Sequence, residues 1–483
     1  MKRMLISALL TAVLAGCTVG PNYQPPKPAA PTQWHEPLGG GETNATVAAA
    51  DWWRAFHDPE LDSLMARAAT TNLDLRLAEA RVREARAARA VAGAGKWPTL
   101  DANGSYSRVR YSQNGPLPFP PGVPLDYDVF QTGFDAAWEL DVFGGVRRQT
   151  EAANANLVAV EYGREFVRVS LYAEVARNYL EVRALQDRLR ITQENIKAQT
   201  DALSLTQDRF RNGLTSDLDV QQAASLLATT RAQVPALNSQ LQAAMHSLDV
   251  LLAQTPGALQ AELSAVAPVP PVPPAVPVGL PSDLLQRRPD VWQAERLLAA
   301  ATADIGVATA DLFPKFSLTG SAGLQSITAS DWFEPGSRFW SAGPTVQWRV
   351  FDAGRIRANI RVQNARQEQA LVRYEQTTLN AFKEVEDALV AYANEQVRHR
   401  SLADAVTADR EAVHLANQLY GNGLASFLNV LDAERSLYQS EDQLAQSERD
   451  VSLNLVTLYK ALGGGWEAPG SGPANRPVAI SSR

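Results

Sequence analysis

Sulfur is nearly absent from this chain. Its 483 residues include one cysteine and four methionines, so no disulfide forms within it and no cysteine cluster can hold a metal or a redox centre. Its five histidines, His35, His57, His246, His399 and His414, are scattered. None stands at ligand spacing from another His, a Cys or a carboxylate cluster, and each reads as a helix-surface or interface residue. Positive charge is not in excess: 45 Lys and Arg face 52 Asp and Glu, a net charge of −7, which gives no sign of a nucleic-acid partner. No G-x-S-x-G, Walker loop or H-E-x-x-H occurs, so neither an enzyme nor a cofactor or metal is expected. Beyond the N-terminus no run of about eighteen apolar residues exists, and no transmembrane helix is expected. The apolar fraction of 45% rules out a disordered chain.

The lone cysteine is Cys17. Lys2 and Arg3 precede a short apolar run, Leu5 to Leu14, and Leu14-Ala15-Gly16 leads into the Cys. Residues 1–16 therefore read as a signal peptide, and the triplet before Cys17 matches the lipobox at which a cysteine is lipidated. Several acyl chains would anchor the chain stably, each buried methylene adding about 0.8 kcal/mol. Thr18 follows, where an inner-membrane retention signal carries Asp.

The sequence is also written twice. Ala78-Glu79 before Pro98 recurs as Ala294-Glu295 before Pro314. Trp138, Val142-Phe143, Gly145 and Arg147 recur as Trp348, Val350-Phe351, Gly354 and Arg357. Asn212-Gly213-Leu214 recurs as Asn422-Gly423-Leu424. The offset is 216 residues at the first anchor and 210 at the last, too long for a short-period solenoid. The expected layout is a lipidated segment 17–60, a first repeat 61–260, a Pro-rich linker 261–282, a second repeat 283–462 and a disordered tail 463–483.

Each copy reads as helix, strand, strand, long helix, tip, helix. Strands are expected at about 99–111, 127–142, 316–326 and 339–350, each with one apolar and one polar face. Period two of this kind fits a soluble sheet or a membrane barrel. The run lengths, near the nine to eleven residues of a tilted spanning strand, favour the barrel. Pro344 lacks a ladder donor, and a bulge or strand end is expected there. Four strands cannot close a barrel, and open edges in lipid leave backbone groups unpaired. The chain must then share its barrel with further copies. Asp101, Asp135, Glu139 and Asp141 share the polar face against Arg349, which predicts a cation-leaning lumen.

In the helices, Val175, Val182, Leu189, Ile196, Leu203 and Phe210 recur every seven residues, as do Val430, Leu437, Leu444, Val451 and Leu458. A strict heptad implies supercoiled packing. At 1.5 Å per residue the long helices, about 146–211 and 355–420, each measure about 100 Å, matched by the shorter pair 72–96 and 215–253 at about 95 Å together. A tall cylinder is expected, with a local kink at Pro235. At the hairpin tips, Gly213 and Gly423 fit left-handed C-terminal positions, and Ser216 and Ser426 fit N-caps. Capping does not account for Leu214 and Leu424, which suit a docking surface. Asn212 and Asn422 complete that set.

At this point the chain resembles the TolC-like outer membrane factors, lipoprotein branch, the OprM- and NodT-type proteins. The resemblance rests on Leu284-Leu285-Gln286-Arg287-Arg288-Pro289-Asp290-Val291 with Ala294-Glu295, on Trp52-Trp53 through Asp58-Pro59 and Leu61, on the stretch 138–144, and on the tips. It covers about 17–465. It implies a mixed α and β membrane protein: a homotrimer with a shared twelve-strand barrel in outer membrane lipid and a helical tunnel in the periplasm. It implies a non-enzymatic exit duct for small molecules in a tripartite efflux system, with a periplasmic adaptor and an inner-membrane pump of the proton-driven RND type as partners. Carried over by position, Leu428 matches an apolar constriction. Asp432 and Arg435 match charged residues that hold neighbouring helices closed, and Tyr420 with Asp219 matches a polar latch. Asn429 stands where an acidic ring is usual. An exit duct for type I protein secretion and a lipid-anchored scaffold without a pore are the alternatives.

Overall fold

The structure is a computed structural model. It describes residues 18–467 except 27–29, 38, 40, 44, 46–49, 117–119 and 121; Cys17 and the expected signal peptide lie outside the described residues. In chain order the main elements are α1 (Pro59–Thr71), α2 (Leu73–Ala94), β1 (Thr99–Arg110), β2 (Asp126–Leu140), α3 (Gly145–Arg211) and α4 (Asp217–Leu251). Then come α5 (Pro281–Arg287), α6 (Pro289–Ala310), β3 (Lys315–Ser326), β4 (Arg338–Gln347), α7 (Arg355–Gly421) and α8 (Phe427–Ala461). The duplication survives in element lengths. Helices α2 and α6 have 22 residues each, α3 and α7 have 67, and α4 and α8 have 35.

The chain divides into two compact units. One contains the described part of Met1–Lys27 with Val82–Val160 and Ala294–Tyr374. Its centre is an antiparallel sheet in the order β1-β2-β3-β4. Apolar side chains line one face, and Leu100, Phe134, Leu318 and Trp340 are exposed there. An ordinary soluble sheet buries such a face; here it is bare. Gly133 and Gly323 oppose each other across β2 and β3. A Cβ on Gly323 would lie 2.2 Å from the Thr132 carbonyl oxygen, so only glycine permits this close strand approach. Two indole ties repeat with the sequence. Trp138 Nε1 donates to the carbonyl of Lys96 at 3.0 Å, and Trp348 Nε1 to that of Leu312 at 3.1 Å.

Three strand expectations need correction. Strand β2 stops at Leu140 rather than 142 because Asp141 turns to cap α3. Its carboxylate accepts from the N–H groups of Val146 and Arg147 and pairs with the Arg147 guanidinium. Asp141 therefore belongs to a helix start and not to the polar sheet face. Strand β4 ends at Gln347 rather than 350, as suits an edge strand paired on one side only. Pro344 sits in that edge strand opposite Leu318 with unbroken register on both sides. No bulge forms, and within the chain β4 is an edge strand, the position in a sheet that tolerates proline.

The other unit contains the described parts of Pro28–Arg81, Glu161–Gln293 and Glu375–Arg483. The heptad stripe is buried at Val175, Val182 and Leu189 and loosens towards Phe210, which is exposed. Helix α4 runs continuously through Pro235. Trp52 stacks on Tyr459 at 5.2 Å and Trp53 packs on Tyr172 at 4.6 Å. Asp58 caps α1 and accepts from the Tyr179 hydroxyl at 2.6 Å. The expected linker is not a free spacer. Val269, Val276 and Val278 are buried, and Val276–Pro277 pairs in parallel with Glu42–Thr43. Nor is all of 463–483 a loose tail. Gly463 packs on the backbone of Arg287, and Trp466 Nε1 donates to the Arg287 carbonyl at 2.8 Å. Residues 468–483 lie outside the described residues.

Candidate functional site: the hairpin tips

The two tips share one backbone solution. In the first, the N–H of Gly213 bonds the carbonyl of Phe210 and that of Leu214 the carbonyl of Arg209. In the second, Gly423 bonds Tyr420 and Leu424 bonds Leu419. Both glycines have positive φ, 69° and 75°. This is the Schellman closure, which satisfies helix-end carbonyls and needs a left-handed residue. Each asparagine side chain adds a second donor to a carbonyl that its own N–H already bonds, Asn212 to that of Asp208 at 2.7 Å and Asn422 to that of Gln418 at 2.9 Å. The Asn-Gly pair is thus fully used by the turn. The leucines are not: Leu214 is 65% exposed and Leu424 76%.

After the turn the tips part ways. At the first, the Asp219 carboxylate accepts from the Thr215 hydroxyl and from the Ser216 N–H at 3.4 Å. It neutralises the open donors at its own helix start. At the second, Asn429 takes that place and the Ser426 hydroxyl donates to its Oδ1 at 3.1 Å. Phe427 is only 2% exposed and lies 5.5 Å from the ring of Tyr420. These two join Ala416, Val430 and Leu431 of the second hairpin with Ala223 and Leu226 of the first in one apolar cluster. That cluster binds hairpin to hairpin.

Leu428, Asp432 and Arg435 fall at i, i+4 and i+7 on α8 and are all exposed. They form one stripe on the side away from the cluster. Neither Asp432 nor Arg435 has an ion-pair partner among the described residues, so the simple intrahelical pair does not form. Tyr420 and Asp219 are not bonded to each other. The Tyr420 hydroxyl is buried without a hydrogen-bond partner, and Asp219 is engaged at its own tip.

The family model described as outer membrane efflux protein matches residues 64–254 and 280–464. The chain belongs to the outer membrane efflux protein family. The probable efflux pump outer membrane protein TtgC of Pseudomonas putida is 34% identical, with 100% of this chain and 99% of that protein aligned. The cation efflux system protein CusC of Escherichia coli is 33% identical over 96% of this chain and 99% of its own length. Among solved structures, the outer-membrane channel OprN superposes with a TM-score of 0.87 at 37% identity, covering 93% of this chain and 100% of that one.

Within this outer membrane efflux protein, the signature at 284–291 proves structural. The buried Arg288 pairs with Asp290 at 2.7 Å and Glu384 at 2.6 Å and donates to the Ala461 carbonyl at 3.0 Å. It ties the start of α6 to α7 and to the end of α8. Two tip residues escaped the sequence reading. The Arg209 guanidinium lies 4.5 Å from the Tyr420 ring centre, a cation–π contact between hairpins. Glu434 is buried on α8, and burial pushes its carboxyl up to about 7. The available signal was its spacing: it follows Val430 by four and Leu431 by three, inside the apolar stripe. Among the described residues no group of three His, Cys, Asp or Glu could hold a metal ion, and no helix is long and apolar enough to cross a membrane.

Proposed function

We propose that three copies of this chain form the exit duct of a tripartite efflux system. Each copy contributes β1 to β4 to a shared twelve-strand barrel in the outer membrane and its helices to a periplasmic tunnel. Cys17 carries the lipid anchor. The observation that carries this reading is the four-strand sheet with a bare apolar face and two open edges, which lipid and neighbouring copies would cover. Leu214 and Leu424 dock a periplasmic adaptor, and the adaptor joins the duct to an inner-membrane pump, of RND type. The stripe Leu428, Asp432 and Arg435 forms the gate: exposed and unpaired in one chain, it meets its counterparts in the trimer. Tyr420 and Asp219 hold its closed geometry from opposite hairpins.

Relatives of nearly equal identity are named for different systems, one an efflux pump and one a cation efflux system. Cargo is therefore assigned to the pump rather than to the duct. The lumen itself leans towards cations through Asp101, Asp135 and Glu139. Purified protein in planar bilayers tests both points. Discrete conductance with a cation-selective reversal potential is expected. An absence of conductance supports the poreless scaffold instead, and anion preference removes the acidic lumen.

A further inference from the structure

The duplication supplies a template for the seam between neighbouring copies. Within the chain, β2 of the first repeat pairs with β3 of the second, so that Phe130 faces Ser326 and Glu139 faces Ser317. Just beyond the strand end, Phe143 stacks on Phe313 at 4.5 Å. Strand β4 is the copy of β2, with Trp348 standing for Trp138. Strand β1 is the copy of β3, with Trp97-Pro98 standing for Phe313-Pro314. The repeated indole ties, Trp138 to Lys96 and Trp348 to Leu312, align these copies in space as in sequence. Yet β4 and β1 are the two open edges of the sheet.

We propose that β4 pairs with β1 of the next copy in the register that β2 and β3 use, and that this seam is locked by two contacts. The first is Arg349 against Asp101 of the next copy; the second is a diagonal contact of Phe351 with Trp97 of the next copy, because the Trp348–Phe351 spacing is two residues shorter than Trp138–Phe143 and sets Phe351 directly opposite Thr99. The proposal rests on the trimeric barrel proposed above and deepens it to named pairs.

Three observations beyond the repeat support it. Shifting the Glu139–Ser317 pair by the two offsets puts Arg349 opposite Asp101, so opposite charges meet directly. Neither has an ion-pair partner among the described residues, and both are exposed. The same shift sets Gln347 against Asn103 and Thr345 against Ser105, polar on polar next to the charged pair. Phe351 is 87% exposed and Trp97 73%, whereas Phe143, the copy of Phe351, is half-buried. An aromatic side chain left bare in one repeat and stacked in the other is missing its partner. The early end of β4 at Gln347 fits as well, because its last residues have no strand to pair with until another copy arrives.

Directly opposed residues on antiparallel strands have Cβ atoms about 4.5–5.5 Å apart, close to the reach of a disulfide. Full-length protein carrying Asp101→Cys with Arg349→Cys, oxidised in isolated outer membranes, should run as covalent dimers and trimers that a reductant dissolves. Each single variant, which keeps Cys17, should remain monomeric on a denaturing gel. Ser105→Cys with Arg349→Cys, about 13 Å out of register along the strand, should not link. Equal linking of the shifted pair overturns the register. No linking of the first pair, while an amine-reactive cross-linker still yields trimers, overturns the seam and leaves the trimer standing. No oligomer with either reagent counts against both. Charge reversal provides a second measurement. Asp101→Arg or Arg349→Asp alone should reduce the trimer fraction on semi-native gels, and the two together should restore it. A double variant no better than the singles contradicts the contact.

Discussion

At the first tip the return helix opens with Asp217, Leu218 and Asp219; at the second it opens with Phe427, Leu428 and Asn429. The turns before them are the same, bond for bond. The first helix start is closed by its own carboxylate and leaves Asp217 in solvent. The second replaces that charge with a neutral amide and buries Phe427 against Tyr420. One tip is therefore held by local electrostatics, and the other by a hydrophobic contact that reaches the neighbouring hairpin. A contact of that second kind can be made or broken as a unit when a helix shifts, which a self-contained cap cannot.

The largest difference between the tips should come from the buried ring. Phe427→Ala removes a core aromatic, a change that costs about 3–5 kcal/mol in well-packed sites. Hydrogen exchange should quicken around the second tip and Ala223 to Leu226. The counterpart Asp217→Ala lies at the surface and should change little, within about 0.5 kcal/mol. Equal responses to the two variants would erase the distinction.

The next difference is a titration. Burial raises the Glu434 carboxyl to about 7, above the ordinary carboxylate value of about 4.3. Such a group binds its proton more tightly in the packed state than in the open one. Packing at the second hairpin should thus be firmest at low pH, weaken as pH rises from about 4.3 towards 7, and change no further above that. Each pKa unit corresponds to about 1.4 kcal/mol. The counterpart in the first copy is Ala224, so the first hairpin should show no such dependence. Exchange rates measured from pH 5 to 8 should slope for wild type and flatten for Glu434→Gln. A flat wild-type profile contradicts the assignment.

The smallest effect concerns the caps. Asn429→Asp places a carboxylate at the helix start that lacks one and should firm the second tip by about 0.3–1 kcal/mol. Asp219→Asn should loosen the first by a similar amount. Local exchange at the two tips reads both changes, and a shift of the same sign in both variants would break the comparison.

Much of this was legible in the sequence, because repetition and periodicity are local properties. The Asn-Gly-Leu tips announced their turn through a left-handed glycine. The heptads announced buried faces at Val175, Val182, Val451 and Leu458. Alternation announced four strands within a few residues of their ends. What escaped was set by distant partners. Asp141 continues the alternation of β2 yet caps a helix, since Val146 and Arg147 offer it free N–H groups. Pro344 keeps a straight register because its strand lies at an edge. Arg209 and Tyr420 are 211 residues apart, and no spacing rule connects them. The Arg288 signature identified the family without revealing that it is a clamp on α7 and α8.

The central claim is that the exposed stripe of the second tip gates a pore. Single-channel conductance of the Asp432→Ala, Arg435→Ala double variant tests it most directly. On that claim the stripes of neighbouring copies are joined by hydrogen bonds to charged groups, worth about 1.5–3 kcal/mol each, and removing them should shift the gate towards its open form. The double variant should conduct more than wild type at the same voltage, while Asp217→Ala at the first tip leaves conductance unchanged. A double variant with wild-type conductance would remove the stripe from the gate.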